Sequence, residues 1–386
     1  MAENYLGEKI PKLGFGLMRL PMIGEDIDLE QTKKMVDTFL AKGFTYFDTA
    51  YVYGDGKSEN AARDALVRRY PRESFQLTSK LPLWAATGKD DLERYFSKSL
   101  ERAGVEYFDF YLLHGLMAGS PERYSSSNLA KAEKFGAWEF IQKKKAEGRI
   151  RHIGFSFHDT AEVLDRVLTE HPEAEFVQLQ INYADWDDEK VQSHRCYETA
   201  RKHDVPVVIM EPVKGGTLAS LRPGAEKILQ DADPQASPAS WAIRFCASLE
   251  GVVTVLSGMS DLGQLNDNVS YMQHFRAMND QERGVLKKVV RELHSVETIG
   301  CTACRYCADG CPQKINIPAV FELTNNYRIY GGRPDELKMR YRDAVEEGGK
   351  ASDCIACGSC ERHCPQKLPI IGLLKESAKL FEGVER

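Results

Sequence analysis

The sequence predicts a (β/α)8 barrel followed by a smaller, mainly helical domain that is rich in cysteine. Three observations support this prediction. Short apolar segments alternate with amphipathic segments eight times in the first 280 residues, and eight of the ten cysteines lie after residue 300. The chain of 386 residues is also long enough for one barrel of about 250 residues and an appendage.

Each predicted strand is a short apolar segment, and a helical pattern follows it. The eight predicted strands begin near Leu13, Thr45, Phe75, Asp109, Ile150, Phe176, Pro206 and Val252. In one predicted helix the apolar residues of 92–103 share a face, and Gly104 follows as a stop signal. Asp159 with Glu162 predicts a capping box, and the pair 237–238 (Ser-Pro) places proline at the first position of another helix.

A doubly wound sheet is the alternative fold. It requires a Gly-x-Gly-x-x-Gly turn after the first strand, but Leu17, Met18 and Arg19 follow the pair Gly14 and Gly16. The barrel is therefore preferred.

The expected domain organisation has three parts. Residues 1–277 form the barrel, 278–298 a connecting helix, and 299–386 the cysteine-rich domain. In the third part, two helical patterns separate the cysteine runs, and a last helix is expected over 371–381.

Composition excludes several classes of protein. With 42% hydrophobic and 28% charged residues, the chain has the composition of a globular protein and not that of a disordered one. A net charge of −6 argues against a nucleic-acid partner. The longest apolar runs, such as 205–210, are about a third of the roughly 18 residues that a membrane span needs.

The cysteines after residue 300 form two runs with the same spacing. The runs are Cys301, Cys304, Cys307 and Cys311, followed by Pro312, and Cys354, Cys357, Cys360 and Cys364, followed by Pro365. Both read C-x2-C-x2-C-x3-C-P, which is the pattern of bacterial ferredoxins, where the fourth cysteine of each run binds the other cluster. The sequence therefore predicts a ferredoxin-like domain with two [4Fe-4S] clusters. The expected ligand sets are Cys301, Cys304, Cys307 and Cys364 for one cluster, and Cys354, Cys357, Cys360 and Cys311 for the other.

Structural zinc and disulfides are the alternatives for these cysteines. Zinc is typically held by two C-x2-C pairs and does not need a third cysteine at the same interval. Disulfides need an oxidising compartment, and residues 1–5 lack the basic and apolar segments of a secretory signal. We expect a cytoplasmic protein in which Cys196 and Cys246 are small buried apolar residues.

Four chemically active side chains follow three successive predicted strands. Asp48 and Tyr53 follow the second strand, Lys80 ends the third and His114 ends the fourth. Catalytic groups of such barrels lie at the carboxyl ends of the strands. A phenol titrates near 10, so a cation such as Lys80 is needed to favour its ionised form, and Asp48 would hold Lys80 in place. Tyr53 could then act as a general acid, with His114 as hydrogen-bond donor to a substrate oxygen.

These four residues resemble the catalytic tetrad of the aldo-keto reductases. The similarity extends through the segments 154–156 (Gly-Phe-Ser), 180–183 (Gln-Ile-Asn-Tyr) and 257–260 (Ser-Gly-Met-Ser) to Asn268. Together with the cysteine runs, it indicates the bacterial and archaeal ferredoxin-fused subgroup. The resemblance implies that hydride passes between a nicotinamide cofactor, NADP or NAD, and a small carbonyl or alcohol substrate.

The resemblance also implies binding residues. Ser156 and Gln180 would hold the nicotinamide carboxamide. Those for the adenosine end would be Ser257, Gly258, Met259, Ser260, Gln264 and Asn268. Phe157 stands where many members have Asn, and Met210 where many have a stacking Tyr. The usual basic residues for a 2′-phosphate are missing from 257–264, so the choice between NADP and NAD stays open.

Two other functions are compatible with the sequence. In the first, the protein transfers single electrons to a redox partner through its clusters, and the barrel docks or senses the cofactor or partner. In the second, the barrel binds the cofactor but turns over poorly. The run 185–188 (Asp-Trp-Asp-Asp) is expected to be mostly a solvated loop; contact with the substrate is the alternative, because the loop after a barrel strand faces the site.

Overall fold

The computed structural model describes residues 3–119, 127–331 and 334–384. The chain forms two compact units. The first comprises Met1–Gly215 and Ala239–Asp280, and the second comprises Gly216–Pro238 and Gln281–Arg386. The barrel lies in the first unit, and both cysteine runs lie in the second.

The described residues contain twelve strands and sixteen α-helices. The strands are β1 Glu3–Tyr5, β2 Glu8–Ile10, β3 Leu13–Gly16, β4 Met22–Ile23, β5 Asp26–Ile27, β6 Tyr46–Asp48, β7 Gln76–Leu81, β8 Phe108–Leu116, β9 Ile150–Phe157, β10 Phe176–Gln180, β11 Val207–Met210 and β12 Val252–Gly258. The helices are α1 Leu29–Ala41, α2 Lys57–Ala62, α3 Asp90–Ala103, α4 Asn128–Phe135, α5 Ala137–Ala146, α6 Ala161–Glu170, α7 Ser193–Lys202, α8 Pro223–Ala232, α9 Pro238–Ala247, α10 Leu262–Met272, α11 Asp280–Leu293, α12 Tyr306–Asp309, α13 Ile317–Tyr330, α14 Pro334–Val345, α15 Ser359–His363 and α16 Ile370–Glu382.

Eight parallel strands close into a barrel in the order β10, β11, β12, β3, β6, β7, β8, β9. The prediction of a (β/α)8 barrel is confirmed, and every predicted strand start lies within one residue of an observed one. The antiparallel pair β1 and β2 precedes the barrel. Tyr5 at the end of β1 and Leu6 in the following turn pack against the buried residues Ile10, Tyr46 and Phe110.

A close approach of β9 to β10 sets the register of the strands beneath the candidate site. A Cβ atom at Gly154 would lie 2.4 Å from the carbonyl oxygen of Phe176, so only glycine fits there. With this spacing Ser156 on β9 pairs with Gln178 on β10. The polar ends of the two strands therefore emerge side by side.

The start of α6 differs from the predicted capping box. Thr160 is the N-cap, and its hydroxyl accepts a hydrogen bond from the N–H of Val163. Asp159 instead accepts from the N–H groups of Ala118 and Thr160, both at 2.7 Å. Its carboxylate thus fixes the segment after β8 and is not available for the cap.

The two cysteine runs of the second unit have matching backbone conformations. Lys314 and Lys367 occupy equivalent positions and both have φ of 52°, while Ala303 and Ala356 have φ of 56° and 54°. Helices α13, α14 and α16 lie at the predicted positions, and their apolar side chains form a separate core with Cys307 and Cys360. In the described part of the chain, no helix has the length and apolar character needed to span a bilayer.

Candidate functional site

Asp48, Tyr53, Lys80 and His114 meet at the carboxyl end of the barrel. Asp48 ends β6, Lys80 lies near the end of β7, and His114 lies near the end of β8. The Lys80 ammonium donates to Asp48 Oδ1 at 2.5 Å, to the carbonyl oxygen of Thr49 at 2.8 Å and to the Tyr53 hydroxyl at 3.2 Å. The His114 ring lies edge-on to the Tyr53 ring, 5.9 Å between centroids. The structure therefore brings these four predicted residues together.

Lys80 and Asp48 form a buried ion pair, with 1% and 4% of their side chains exposed. Burial by itself lowers the pKa of Lys80, but the Asp48 carboxylate and the Tyr53 phenol outweigh that effect and raise it. Burial raises the pKa of Asp48, and the Lys80 ammonium opposes the rise. Lys80 thus stays positively charged beneath Tyr53.

The Tyr53 phenol keeps its proton in this environment. Burial raises the pKa of Tyr53 above its ordinary value, and the Lys80 ammonium opposes the rise without cancelling it. The sequence argument considered only the cation, so it anticipated the opposite net direction. A protonated phenol beside a fixed positive charge can give up its proton to a substrate oxygen, because the cation stabilises the phenolate that remains. These are the properties of a general acid.

His114 is neutral at ordinary pH. Burial, with Lys80 and His158 nearby, lowers the pKa of His114 well below its usual value. Among the described residues, nothing bonds to its Nδ1 atom. The indole of Trp84 packs on the imidazole with 4.7 Å between ring centroids, and 43% of Trp84 is exposed. The neutral ring can donate a hydrogen bond to a substrate oxygen, and Trp84 forms an apolar wall beside it.

The residues expected to hold nicotinamide lie on adjacent strand ends. The Ser156 hydroxyl accepts from the N–H of Gly115 at 2.8 Å, while Gln180 and Met210 end β10 and β11 and are partly buried. Phe157 is 2% exposed and belongs to the packed core. Beyond it, His158 interacts with Gln180 and Glu211. An open pocket lies here, and it is lined by Phe157, His158, Asp159, Leu179, Gln180, Lys190, Val191 and Cys196.

The residues expected at the adenosine end lie at the end of β12, in the turn that follows it and in α10. Asn268 donates to the Ser257 hydroxyl at 2.7 Å, and the N–H of Ser260 donates to Gln264 Oε1 at 2.9 Å. Gly258 is exposed, whereas the Met259 side chain is fully buried. The structure thus brings these six residues together, and Gly258 and Ser260 among them are exposed.

Arg19 and Asp261 also contact this segment, and neither was predicted from the sequence. The carbonyl oxygen of Arg19 accepts from the Ser260 hydroxyl at 2.9 Å, and the Arg19 side chain packs over Gly258. Asp261 caps α10 by accepting from the N–H of Gln264. Arg19 lies three residues after the end of β3, outside the segment 257–264 where basic residues for a 2′-phosphate were expected.

The run 185–188 was expected to be a solvated loop, which is wrong for Asp185. Only 3% of Asp185 is exposed, and its carboxylate binds the Lys214 ammonium at 2.6 and 2.7 Å. Asn182 also donates to Asp185 at 2.9 Å. The partner Lys214 lies after a different strand, so sequence proximity could not reveal it.

The eight clustered cysteines surround two cavities. One cavity is lined by Cys301, Cys304, Cys307 and Cys364. A second cavity is lined by Cys311, Cys354, Cys357 and Cys360. The fourth cysteine of each run thus faces the first three of the other run. Four thiols around an apolar cavity have the donor chemistry that an iron–sulfur cluster requires.

The remaining cysteines are buried within the first unit. Cys196 is 4% exposed and Cys246 is 0% exposed. Burial raises the pKa of Cys196 to about 12 and also raises that of Cys246. Both therefore stay as thiols, with the properties of small packing residues.

Two family models match the chain, one over the barrel and one over the cysteine runs. Residues 12–291 match a model described as the aldo/keto reductase family. Residues 300–368 match a model described as a 4Fe-4S dicluster domain.

Individual relatives are similar to part of the chain. An aldo-keto reductase from Strobilurus tenacellus is 28% identical over 222 residues, covering 54% of this chain and 60% of that protein. A 3-alpha-hydroxysteroid dehydrogenase from Rattus norvegicus is 29% identical over 175 residues, covering 42% and 51%. The chain spans about half the length of the curated relatives that it matches.

A solved structure has the same fold. The aldo-keto reductase from Klebsiella pneumoniae in complex with NADPH superimposes with a TM-score of 0.57 and 22% identity, covering 75% of this chain and 95% of that one.

Proposed function

This chain belongs to the aldo/keto reductase family, and from that premise we propose that it is an NADP- or NAD-dependent oxidoreductase that interconverts a carbonyl and an alcohol. The observation that carries the proposal is the placement of one ammonium between a carboxylate and a phenol, with Lys80 Nζ 2.5 Å from Asp48 and 3.2 Å from Tyr53. A dihydronicotinamide, when bound, supplies the hydride that the carbonyl carbon accepts.

The proposed role of Tyr53 is proton transfer. Its hydroxyl gives a proton to the carbonyl oxygen as negative charge develops there, and takes the proton back in the oxidation direction. Lys80 stabilises the phenolate that remains, and Asp48 holds Lys80 in place. His114 donates a hydrogen bond to the same oxygen, which aligns the carbonyl and favours charge on it.

The proposed cofactor site runs across the mouth of the barrel. Ser156 and Gln180 would hold the carboxamide, and Met210 would pack on the ring. The adenosine end would be held by Ser257, Gly258, Met259, Ser260, Gln264 and Asn268. Because the side chain of Met259 is buried, its contribution would come from its backbone. The NADPH complex of the Klebsiella structure supports NADP, whereas Asp261 is an acidic neighbour for a 2′-phosphate.

We further propose that the second unit binds two [4Fe-4S] clusters through the two cysteine sets. The linings of the two cavities support this proposal, because each contains three cysteines of one run and the fourth cysteine of the other. Such clusters transfer single electrons. Cys304 and Cys357 are exposed, which favours exchange with a redox partner protein over a purely structural role. Iron–sulfur ligation also suits the reducing cytoplasm. The division into barrel 1–277, connecting helix 278–298 and ferredoxin-like domain 299–386 is the functional organisation that we propose.

Steady-state turnover tests the proposed activity. Anaerobically purified full-length protein should oxidise NADPH or NADH in the presence of aldehydes, ketones or sugars. Replacement of His114 by Gln is the matched site variant, and Lys375→Glu on the exposed face of α16 is the control. Absence of turnover with every substrate class and both cofactors would leave the electron-transfer function as the better account.

A further inference from the structure

The segment that carries Tyr53 is irregular and is held by short-range hydrogen bonds of the turn type. It lies between β6 and α2, with left-handed backbone at Gly54, Asp55 and Gly56. The carbonyl oxygen of Tyr53 accepts from the N–H groups of Gly56 and Ser58 at 3.2 and 3.1 Å. These local bonds fix the shape of the turn, whereas the backbone bonds of Thr49 to Thr78 and Lys80 connect only the start of the segment to β7.

One guanidinium contacts this turn on both sides of Tyr53. Arg102, on α3, donates to the carbonyl oxygen of Tyr51 at 3.1 Å and lies over the Tyr51 ring, 4.3 Å from its centroid. It also packs against Gly56, where a Cβ atom would lie 2.9 Å from the guanidinium. Arg102 therefore contacts the turn at Tyr51 and at Gly56, which lie on either side of Tyr53 in the sequence.

A buried carboxylate connects Arg102 to the strand of Lys80. Glu59 is 0% exposed, and its Oε1 atom accepts from the Ser79 hydroxyl at 2.7 Å. Its Oε2 atom lies 3.7 Å from the Arg102 guanidinium and has no hydrogen-bond partner among the described residues. Because Ser79 directly precedes Lys80, Glu59 contacts both the strand with the cation and the arginine that holds the phenol.

We propose that Glu59 and Arg102 are positioning residues that set the distance between the Tyr53 hydroxyl and the Lys80 ammonium. This inference rests on the proposed role of Tyr53. Neither residue touches the tetrad, so the pair acts through Tyr51, Gly56 and Ser79. Burial raises the pKa of the Glu59 carboxyl, and the Ser79 hydroxyl and the Arg102 guanidinium oppose this rise, so Arg102 is the cation that faces this buried group.

Loss of the pair should loosen the turn without emptying the cofactor site. A misplacement of about 1 Å can reduce catalysis on the order of 100-fold. Arg102→Met should therefore reduce kcat by roughly 10- to 100-fold, with KM for the cofactor unchanged. Lys80 lowers the pKa of the phenol, whereas burial and the Asp48 and Glu211 carboxylates raise it, so greater separation from Lys80 should raise this pKa further. The basic limb of the kcat profile for reduction should then move to higher pH.

The experiment compares four variants in the full-length holoprotein. Arg102→Met and Glu59→Gln remove the charge on either side, Arg102→Lys restores a cation, and Lys98→Met on the exposed part of α3 is the control. Hydrogen exchange of the Gly56 and Ser58 amides is measured beside kcat and its pH profile. We expect the exchange rate at these two amides to rise in Arg102→Met. The rise should be smaller in Arg102→Lys, and the rate in the control should equal that of the wild type.

The outcomes separate this inference from the proposed activity. An inactive wild-type protein would contradict the proposed function, while local exchange at Gly56 and Ser58 would still decide whether Arg102 holds the turn. An active Arg102→Met variant with unchanged kcat, pH profile and exchange would overturn the inference. So would faster exchange spread evenly over the barrel, because that result indicates a general loss of stability.

Discussion

The Lys80 ammonium lies 2.5 Å from Asp48 Oδ1, inside the barrel and almost out of contact with solvent. Removing two charges from water costs several kcal/mol for each ion, and such a pair is often no more stable than an apolar pair of equal volume. The same ammonium lies 3.2 Å from the Tyr53 hydroxyl, so the pair places a fixed positive charge beside the phenol.

Breaking this pair should cost stability. Asp48→Asn leaves the buried Lys80 ammonium without its counter-charge, so the free energy of unfolding should fall by about 3 to 5 kcal/mol. The double variant Asp48→Leu with Lys80→Met should recover most of the loss because no unpaired charge remains. Urea unfolding of all three proteins measures the difference. Equal losses in the single and double variants would mean that packing, and not charge, dominates.

The pH dependence of reduction should show no break from His114 near 6.5. Burial lowers the pKa of His114 well below 6.5, so the imidazole becomes charged only in more acidic solution. The value of kcat/KM should therefore be flat with respect to this group between about pH 6 and 8. A titration near 6.5 that disappears in His114→Gln would contradict the assignment.

The exchange of fourth ligands between the cysteine runs makes a distinctive prediction. Cys304→Ala with Cys364→Ala removes two ligands of one proposed cluster, so about half of the iron and acid-labile sulfide should remain. Cys304→Ala with Cys311→Ala removes one ligand from each, so both clusters should be weakened. If each run bound its own cluster, the two double variants would show the reverse pattern. Cys196→Ala is the control, because this thiol is buried in the first unit.

Glu175 should contribute stability that is lost in acid. Burial by itself raises the pKa of Glu175, but hydrogen bonds from His152, Lys145 and the N–H of Ile153 outweigh burial and lower this pKa from 4.5 to about 2. A carboxyl with a lower pKa in the folded state stabilises the protein above its unfolded pKa of 4.5, and this stabilisation disappears as pH falls from 4.5 to about 2. The difference in unfolding free energy between wild type and Glu175→Gln should shrink over that interval. A difference that does not depend on pH would contradict this account.

The barrel was predictable because its strands and helices have strong local patterns. Leu13, Ile150, Phe176 and Val252 are both predicted and observed strand starts. The tetrad was predictable for a related reason, since residues at the carboxyl ends of neighbouring parallel strands meet at one rim. The cysteine spacing similarly indicated which thiols share a cavity.

The contacts that were missed join segments distant in sequence. Glu59 and Arg102 have no local signature, and their pairing depends on how α2 packs against α3. The net rise in the pKa of Tyr53 also escaped prediction, because burial of the phenol is a property of the folded barrel. Asp185 looked solvated for the same reason, since its cation follows another strand.

The most direct test of the proposed chemistry is the effect of Tyr53→Phe on turnover. The change removes one hydroxyl and keeps the ring, so cofactor binding, measured by nicotinamide fluorescence, should stay near the wild-type value. If Tyr53 delivers the proton, kcat for carbonyl reduction should fall by at least about 100-fold. A Tyr53→Phe variant that binds the cofactor and turns over at nearly the wild-type rate would contradict the assignment of Tyr53 as the general acid.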